Sequence, residues 1–358
     1  AKQPWIRNIS FDTAFILSPA WIGVLFVLLF PTICNENQQG ISEFWWLMLV
    51  LFIDVSHVYS TLFRTYFDKR TYRKFLSYYT LIPILGFIAG ITLYSIDGLL
   101  FWRVMAYLAV FHFIRQQYGF FMIYCRFEKS TSIERLIDKI TIYAATLIPL
   151  LIWHLKGETN FNWFVAKDFL YFHEPTFIPW VNSIYTLLLI IFLIKEIKFV
   201  IHHRAVNLPK YLFLAGTIIS WYLGIVLLDG DLSFTLLNVV AHGIPYMALV
   251  WHAGNRNKDT LSAQWVKFAL TPNYFFLFLF IILGLGFLEE GLWNSLIWQD
   301  HNTIFQFSHL IEPVRNEMWL SILVPLLTLP QLTHYLLDGF IWKSKDRDKD
   351  WNKAIHKD

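Results

Sequence analysis

Four histidines of the 358-residue chain lie inside apolar runs, each with a second polar side chain at helical spacing. His57 follows Asp54 by three residues, and His334 precedes Asp338 by four. His242 follows Asn238 by four, and His112 precedes Gln116 by four. Steps of three and four bring side chains to one face of a helix. Neutral imidazole is the commonest nitrogen ligand for first-row transition metals, and carboxylates complete harder sites. The pattern therefore points to a metal centre with His57, His112, His242, His252 and His334 as nitrogen ligands. Asp54 and Asp338 would serve as further ligands, as catalytic carboxylates, or as partners that fix imidazole tautomers. Arg64 and Arg115 lie slightly deeper and are candidates for holding an anionic headgroup or carboxylate at the catalytic site.

The chemistry this set suggests is that of iron. A mononuclear non-haem iron site needs about two histidines and one carboxylate with open positions; a dinuclear site needs more, and the set is large enough for either. The expected function is a membrane-embedded, metal-dependent oxidoreductase of the oxygenase, hydroxylase or desaturase type, acting on a hydrophobic or lipid-like substrate. No nucleotide-binding loop or ferredoxin-like motif is present. An electron donor would therefore be a separate protein or a membrane quinone.

Three other readings use the same residues. Paired histidines could ligate haem in an electron-transfer subunit, with arginines on the propionates. Asp54, His57 and Asp338 could relay protons in a transporter, since ionisable groups at the midplane mark ion pathways. A lone histidine in a membrane helix can also be just a hydrogen-bond partner of its neighbour. Such contacts average about 0.6 kcal/mol, which gives little reason for histidine plus a polar partner on four separate helices.

The elements that must position these groups follow from composition. Hydrophobic residues make up 56% and charged residues 15%, against about 25% charged in soluble domains. Mean hydropathy is +0.47. Disordered, coiled-coil, disulfide-scaffold and soluble globular classes are excluded or disfavoured. With two cysteines, Cys34 and Cys125, and no CxxC pair, thiolate zinc and iron–sulfur sites are excluded too. The net charge of +3 gives no indication of nucleic acid.

The pattern predicts an all-α polytopic membrane protein, with about ten transmembrane helices in one bundle and a single domain over 1–358. The segments are 14–33, 44–66, 75–94, 99–125, 139–155, 177–197, 211–228, 234–252, 273–291 and 318–342, each near the twenty apolar residues a crossing requires. With both termini in the cytoplasm, only Lys156, Lys167 and Arg315 of the loop cations fall on the opposite side, as the positive-inside rule demands. The simplest location is a bacterial cytoplasmic (inner) membrane, with membrane lipids as surroundings. The first apolar run reads as a retained helix rather than a cleaved signal. The aromatic loops 156–176 and 292–317 read as short interfacial helices or re-entrant pieces. His57, His112, His242 and His334 fall on the second, fourth, eighth and tenth segments, which all run in the same direction, so the four would share a depth.

In the make-up of this polar layer the chain resembles the multi-pass, histidine-rich membrane oxygenases, desaturases and hydroxylases. Their clusters read HxxxH, HxxH or HxxHH, and none of these occurs in the helices here. His202-His203 lacks the upstream histidine that would complete one. The likeness therefore covers no stretch of sequence and assigns no residue a role.

Overall fold

A computed structural model describes residues 3–36, 40–258, 261 and 263–341. Lys2, the basic tail from Lys343 to Lys357 and His356 lie outside the described residues, so the sidedness of the helices rests on the sequence alone. Among the described residues there are helices and no strands.

The principal helices are α1 (Ile9–Leu29), α2 (Glu43–Arg64), α3 (Leu76–Ile96), α4 (Gly98–Tyr124), α5 (Ser132–Lys156), α6 (Ile178–His203), α7 (Leu208–Leu227), α8 (Asp231–Asn257), α9 (Pro272–Trp298), α10 (Glu317–Leu327) and α11 (Leu329–Ile341). They cover all ten expected segments. Eight of them, α1 to α5 and α7 to α9, are each long and apolar enough to cross a membrane; α10 and α11 make a ninth if taken as one span bent by 42°.

Local sequence sets several ends. Thr131 and Glu134 form a reciprocal cap at the start of α5, satisfying two donors that a helix N-terminus leaves open. Asn207 caps α7 and Asn316 caps α10 through their side-chain oxygens. The break between α10 and α11 falls at Thr328, just before Leu329-Pro330. Proline supplies no N–H and clashes with the preceding turn. Thr328 turns its hydroxyl back to the carbonyls of Val324 and Pro325.

Two differences from expectation follow from buried polarity. α9 runs on to Trp298 rather than ending near residue 291, because Glu289 is buried and does not mark a solvated helix end. The loop after α5 is irregular, not helical, from Gly157 to Glu174. Asp168 holds it by accepting backbone N–H bonds from Phe164 (2.7 Å) and Val165 (3.3 Å).

The chain divides into two compact units. Unit 1 comprises residues 1–41, 113–162 and 169–245, and unit 2 comprises 42–112, 163–168 and 246–358. In unit 1, α5 packs on α6 and α7, and α1 packs on α7. Its interior holds an ionic knot. Lys210, fully buried, reaches Glu196 (2.6 Å), Glu128 (3.0 Å) and Asp138 (3.2 Å), and Lys195 reaches Asp138 (2.7 Å) and Glu196. In unit 2, α2 packs on α9 and α11, and α3 lies along α10 and α11. The approach of α3 requires glycine. A Cβ at Gly86 would lie 2.8 Å from Leu332, and one at Gly90 2.9 Å from Pro325.

Candidate metal centre

α2, α4 and α11 each bring one histidine into unit 2. His57, His112 and His334 are each 1–2% exposed. One ring nitrogen of each lies within 4.8 Å of those of the other two. Ring centroids are 4.4 Å apart for His112 and His334, 4.9 Å for His57 and His334, and 6.5 Å for His57 and His112. The turns of α2 before His57 are of the wider π type, from Trp46 to Val55. Ser56 donates back to Leu51, five residues earlier, at 2.8 Å. Wide turns of this kind recur at functional sites.

His334 and His112 each have an oxygen within hydrogen-bond distance of Nδ1 that can fix the tautomer. His334 Nδ1 lies 2.7 Å from Thr61 Oγ1, which in turn lies 2.9 Å from the Tyr246 hydroxyl. His112 Nδ1 lies 3.3 Å from Asp338 Oδ2, and His57 Nδ1 lies 3.6 Å from Asp54 Oδ1. With Nδ1–H donated to oxygen, Nε2 keeps its lone pair for a metal, the usual second-layer arrangement of metal-bound histidine. Among the described residues, His334 Nε2 is buried with no hydrogen-bond partner. Leaving such an atom unsatisfied costs about 1–3 kcal/mol, and a metal ion at that position would remove the cost.

Nitrogens bound at 2.0–2.1 Å to one tetrahedral ion lie about 3.3 Å apart, inside the 4.8 Å that bounds the spacing of these ring nitrogens. A porphyrin plane does not fit between His112 and His334 or between His57 and His334, whose centroids are 4.4 and 4.9 Å apart, which favours a small ion.

The other residues expected at the site are placed as follows. Asp54 and Asp338 stand beside His57 and His112, as above. His242 is fully buried in unit 1, stacked on Phe113 at 3.6 Å, and its carbonyl accepts from Gln116 Nε2 at 2.8 Å. It precedes Tyr246 by one turn on the continuous helix α8. His252 is buried in unit 2, ten residues beyond His242, or about 15 Å along the helix. It does not join the gathered histidines. Arg64 lies two turns past His57 on α2, with Nη1 3.3 Å from Thr71 Oγ1. Arg115, in unit 1, bonds to the Tyr143 hydroxyl and lies over the Tyr118 ring at 5.1 Å.

The sequence reading missed Glu289. It is 4% exposed, accepts from Gln331 Nε2 at 3.3 Å, bonds to Tyr59 and Trp293, and interacts electrostatically with Asp54. The signal was there: apolar residues resume after Glu289-Glu290 with Leu292, Trp293, Leu296 and Ile297, which an ordinary helix end would not show.

A second gathering of ligand types, Cys125, Glu128 and Asp138, lies in unit 1. There the ammonium groups of Lys195 and Lys210 already stand against the carboxylates of Glu128, Asp138 and Glu196, so the chain itself balances most of the charge a cation would neutralise. Both cysteines are free thiols.

No family model, no curated protein and no solved structure matches the chain.

Proposed function

We propose that the protein is an integral membrane metalloprotein whose centre is held by His57, His112 and His334, and that it acts as an iron-dependent oxidoreductase on a hydrophobic substrate. The observation that carries this is the trio of buried imidazoles, with the Nδ1 atoms of His334 and His112 directed at oxygen partners and His334 Nε2 left bare. Intramembrane ionisable groups are costly and mark function by default. His242, one turn before Tyr246 on α8, is proposed as a fourth imidazole on the strength of that helical register.

Iron is favoured over zinc as a redox-active ion suited to imidazole with carboxylate at hand. It would supply the redox chemistry. The chain's own residues would orient the ligands through Thr61, Asp338 and Asp54, and exclude water by burial. Electrons would come from a separate protein or a membrane quinone.

The test is elemental analysis and an ultraviolet–visible spectrum on the detergent-purified protein, repeated for His57→Ala and His334→Ala. The reading expects near-stoichiometric transition metal without a Soret band, lost in both variants. Full retention of metal in both variants sinks the assignment. Absence of metal after metal-replete growth, together with proton-coupled uptake by proteoliposomes, would turn Asp54, His57 and Asp338 into a transport pathway.

A further inference from the structure

A cavity of about 320 Å³ adjoins the centre within unit 2, at the small end of the range for small-molecule sites. Leu62 of α2, Pro83 of α3, and Leu326, Leu329 and Leu337 of α10 and α11 make its walls mainly apolar. Among the described residues no Lys, Arg, Asp or Glu lines it. Its polar lining comprises Tyr59, Tyr66 and Thr333 and the buried Thr61 and His334, the pair joined at 2.7 Å.

The mouth is on the lipid-facing side. Leu326 is 47% exposed, and the adjoining face of α3 shows Leu81, Ile84 and Leu85 at 53%, 49% and 60%. The break between α10 and α11 opens the wall there, since Leu326, Leu329 and Pro330 all line the cavity. Water gains little in such a space, whereas hydrocarbon loses nothing by moving from bilayer to apolar wall. At about 30 Å³ per water-sized group, the volume takes roughly ten such groups.

We propose that this cavity binds one unbranched hydrocarbon chain. The chain enters from the bilayer past Leu326 and Pro83 and presents a chain carbon at the Thr61–His334 end. The described lining, which carries no charge, keeps any headgroup outside. As a substrate site the proposal rests on the metal-centre reading; as a binding site it stands without it. The chain can belong to a membrane phospholipid or to a free fatty acid.

The experiment uses the whole protein in nanodiscs of dioleoylphosphatidylcholine. Either a fatty acid or a phosphatidylcholine carries a mid-chain diazirine, and labelled peptides are mapped after irradiation. Labelling of Leu62, Thr333 and Leu337 should exceed that of Leu187 and Ile190, which are exposed on α6, by at least tenfold with one or both probes, and the active probe names the source. Thr333→Trp, which fills the cavity, should lower that labelling at least tenfold while metal content stays unchanged. Should Thr333→Trp not fold, Leu326→Trp at the mouth takes its place. Uniform labelling of the cavity and α6, or labelling indifferent to the filled cavity, overturns the proposal. Cavity labelling in a protein that holds no metal would uphold the chain site and sink the metal centre; bound metal with uniform labelling would do the reverse.

Discussion

Thr61 Oγ1 lies 2.7 Å from His334 Nδ1 and 2.9 Å from the Tyr246 hydroxyl. One threonine of α2 thereby ties the orientation of an imidazole on α11 to a phenol on α8. When Nδ1–H donates to that hydroxyl, His334 is the tautomer whose Nε2 is free for a metal. Thr61→Val keeps the shape and removes the acceptor, and outer-layer partners of this kind are worth about 10–100-fold in metal affinity. Metal titration of Thr61→Val should show a loss in that range, with Thr61→Ser close to the parent protein. Equal affinity in all three would remove the orienting role.

Asp338 makes the corresponding contact with His112 at 3.3 Å. Asp338→Asn preserves size but alters which ring nitrogen is protonated. Metal affinity should fall by about tenfold or more, with the helical circular dichroism unchanged. A melted helix signal instead would make Asp338 a packing residue.

His252 is the control. It is buried but lies about 15 Å along α8 from His242. His252→Ala should retain metal at the parent stoichiometry, measured on the same preparation in which His334→Ala has lost it.

The ionic knot of unit 1 makes a stability prediction. Lys210 is fully buried among Glu128, Asp138 and Glu196. Lys210→Met strands three carboxylates with only Lys195 to balance them, and removing one partner of a buried pair costs about 3–5 kcal/mol. Thermal unfolding in detergent should shift down markedly. A triple variant that also replaces Glu196 and Asp138 by Gln and Asn should recover much of the loss; no recovery would show that Lys210 acts through packing.

Asp168 makes the pH prediction. Burial raises its carboxyl from an ordinary 3.8 to about 6, against the backbone N–H groups of Phe164 and Val165, which favour the charged form. The folded loop therefore binds the proton more tightly than the unfolded one. Its contribution is fully present below pH 4, is lost as pH rises through about 6, and amounts to at most about 3 kcal/mol. Hydrogen exchange over residues 163–168 should be slower at pH 4.5 than at pH 7 after correction for intrinsic rates. Asp168→Asn should abolish that difference.

The helices were legible because apolar runs of about twenty residues leave few alternatives in a membrane. The histidine face of α2 was legible for a related reason: Asp54, His57 and Thr61 have no other explanation in such a run. Glu289 was not, because a Glu-Glu pair near the end of an apolar segment looks like a solvated terminus until Tyr59 and Gln331 are seen to close over it. His252 was read as a ligand for a larger site; it is not among the histidines the structure gathers, and ten residues at about 1.5 Å each separate it from His242 along the helix. Arg115 was expected to meet a substrate anion; in the structure it bonds to the Tyr143 hydroxyl and lies over the Tyr118 ring. Sequence spacing along one helix cannot report a partner on another.

α11 joins α10 through a 42° break and carries two groups of the centre four residues apart, His334 itself and Asp338, which holds His112. One short helix thus bears both a ligand and the brace of a second ligand. Any ion held by these rings favours the docked position of α11 over every undocked one, by mass action on its free concentration. Such an ion would then latch α11 in place. Stripping it should leave the segment beyond Thr328 the first part of the protein to be cut by protease, and the same segment should become resistant when the ion returns.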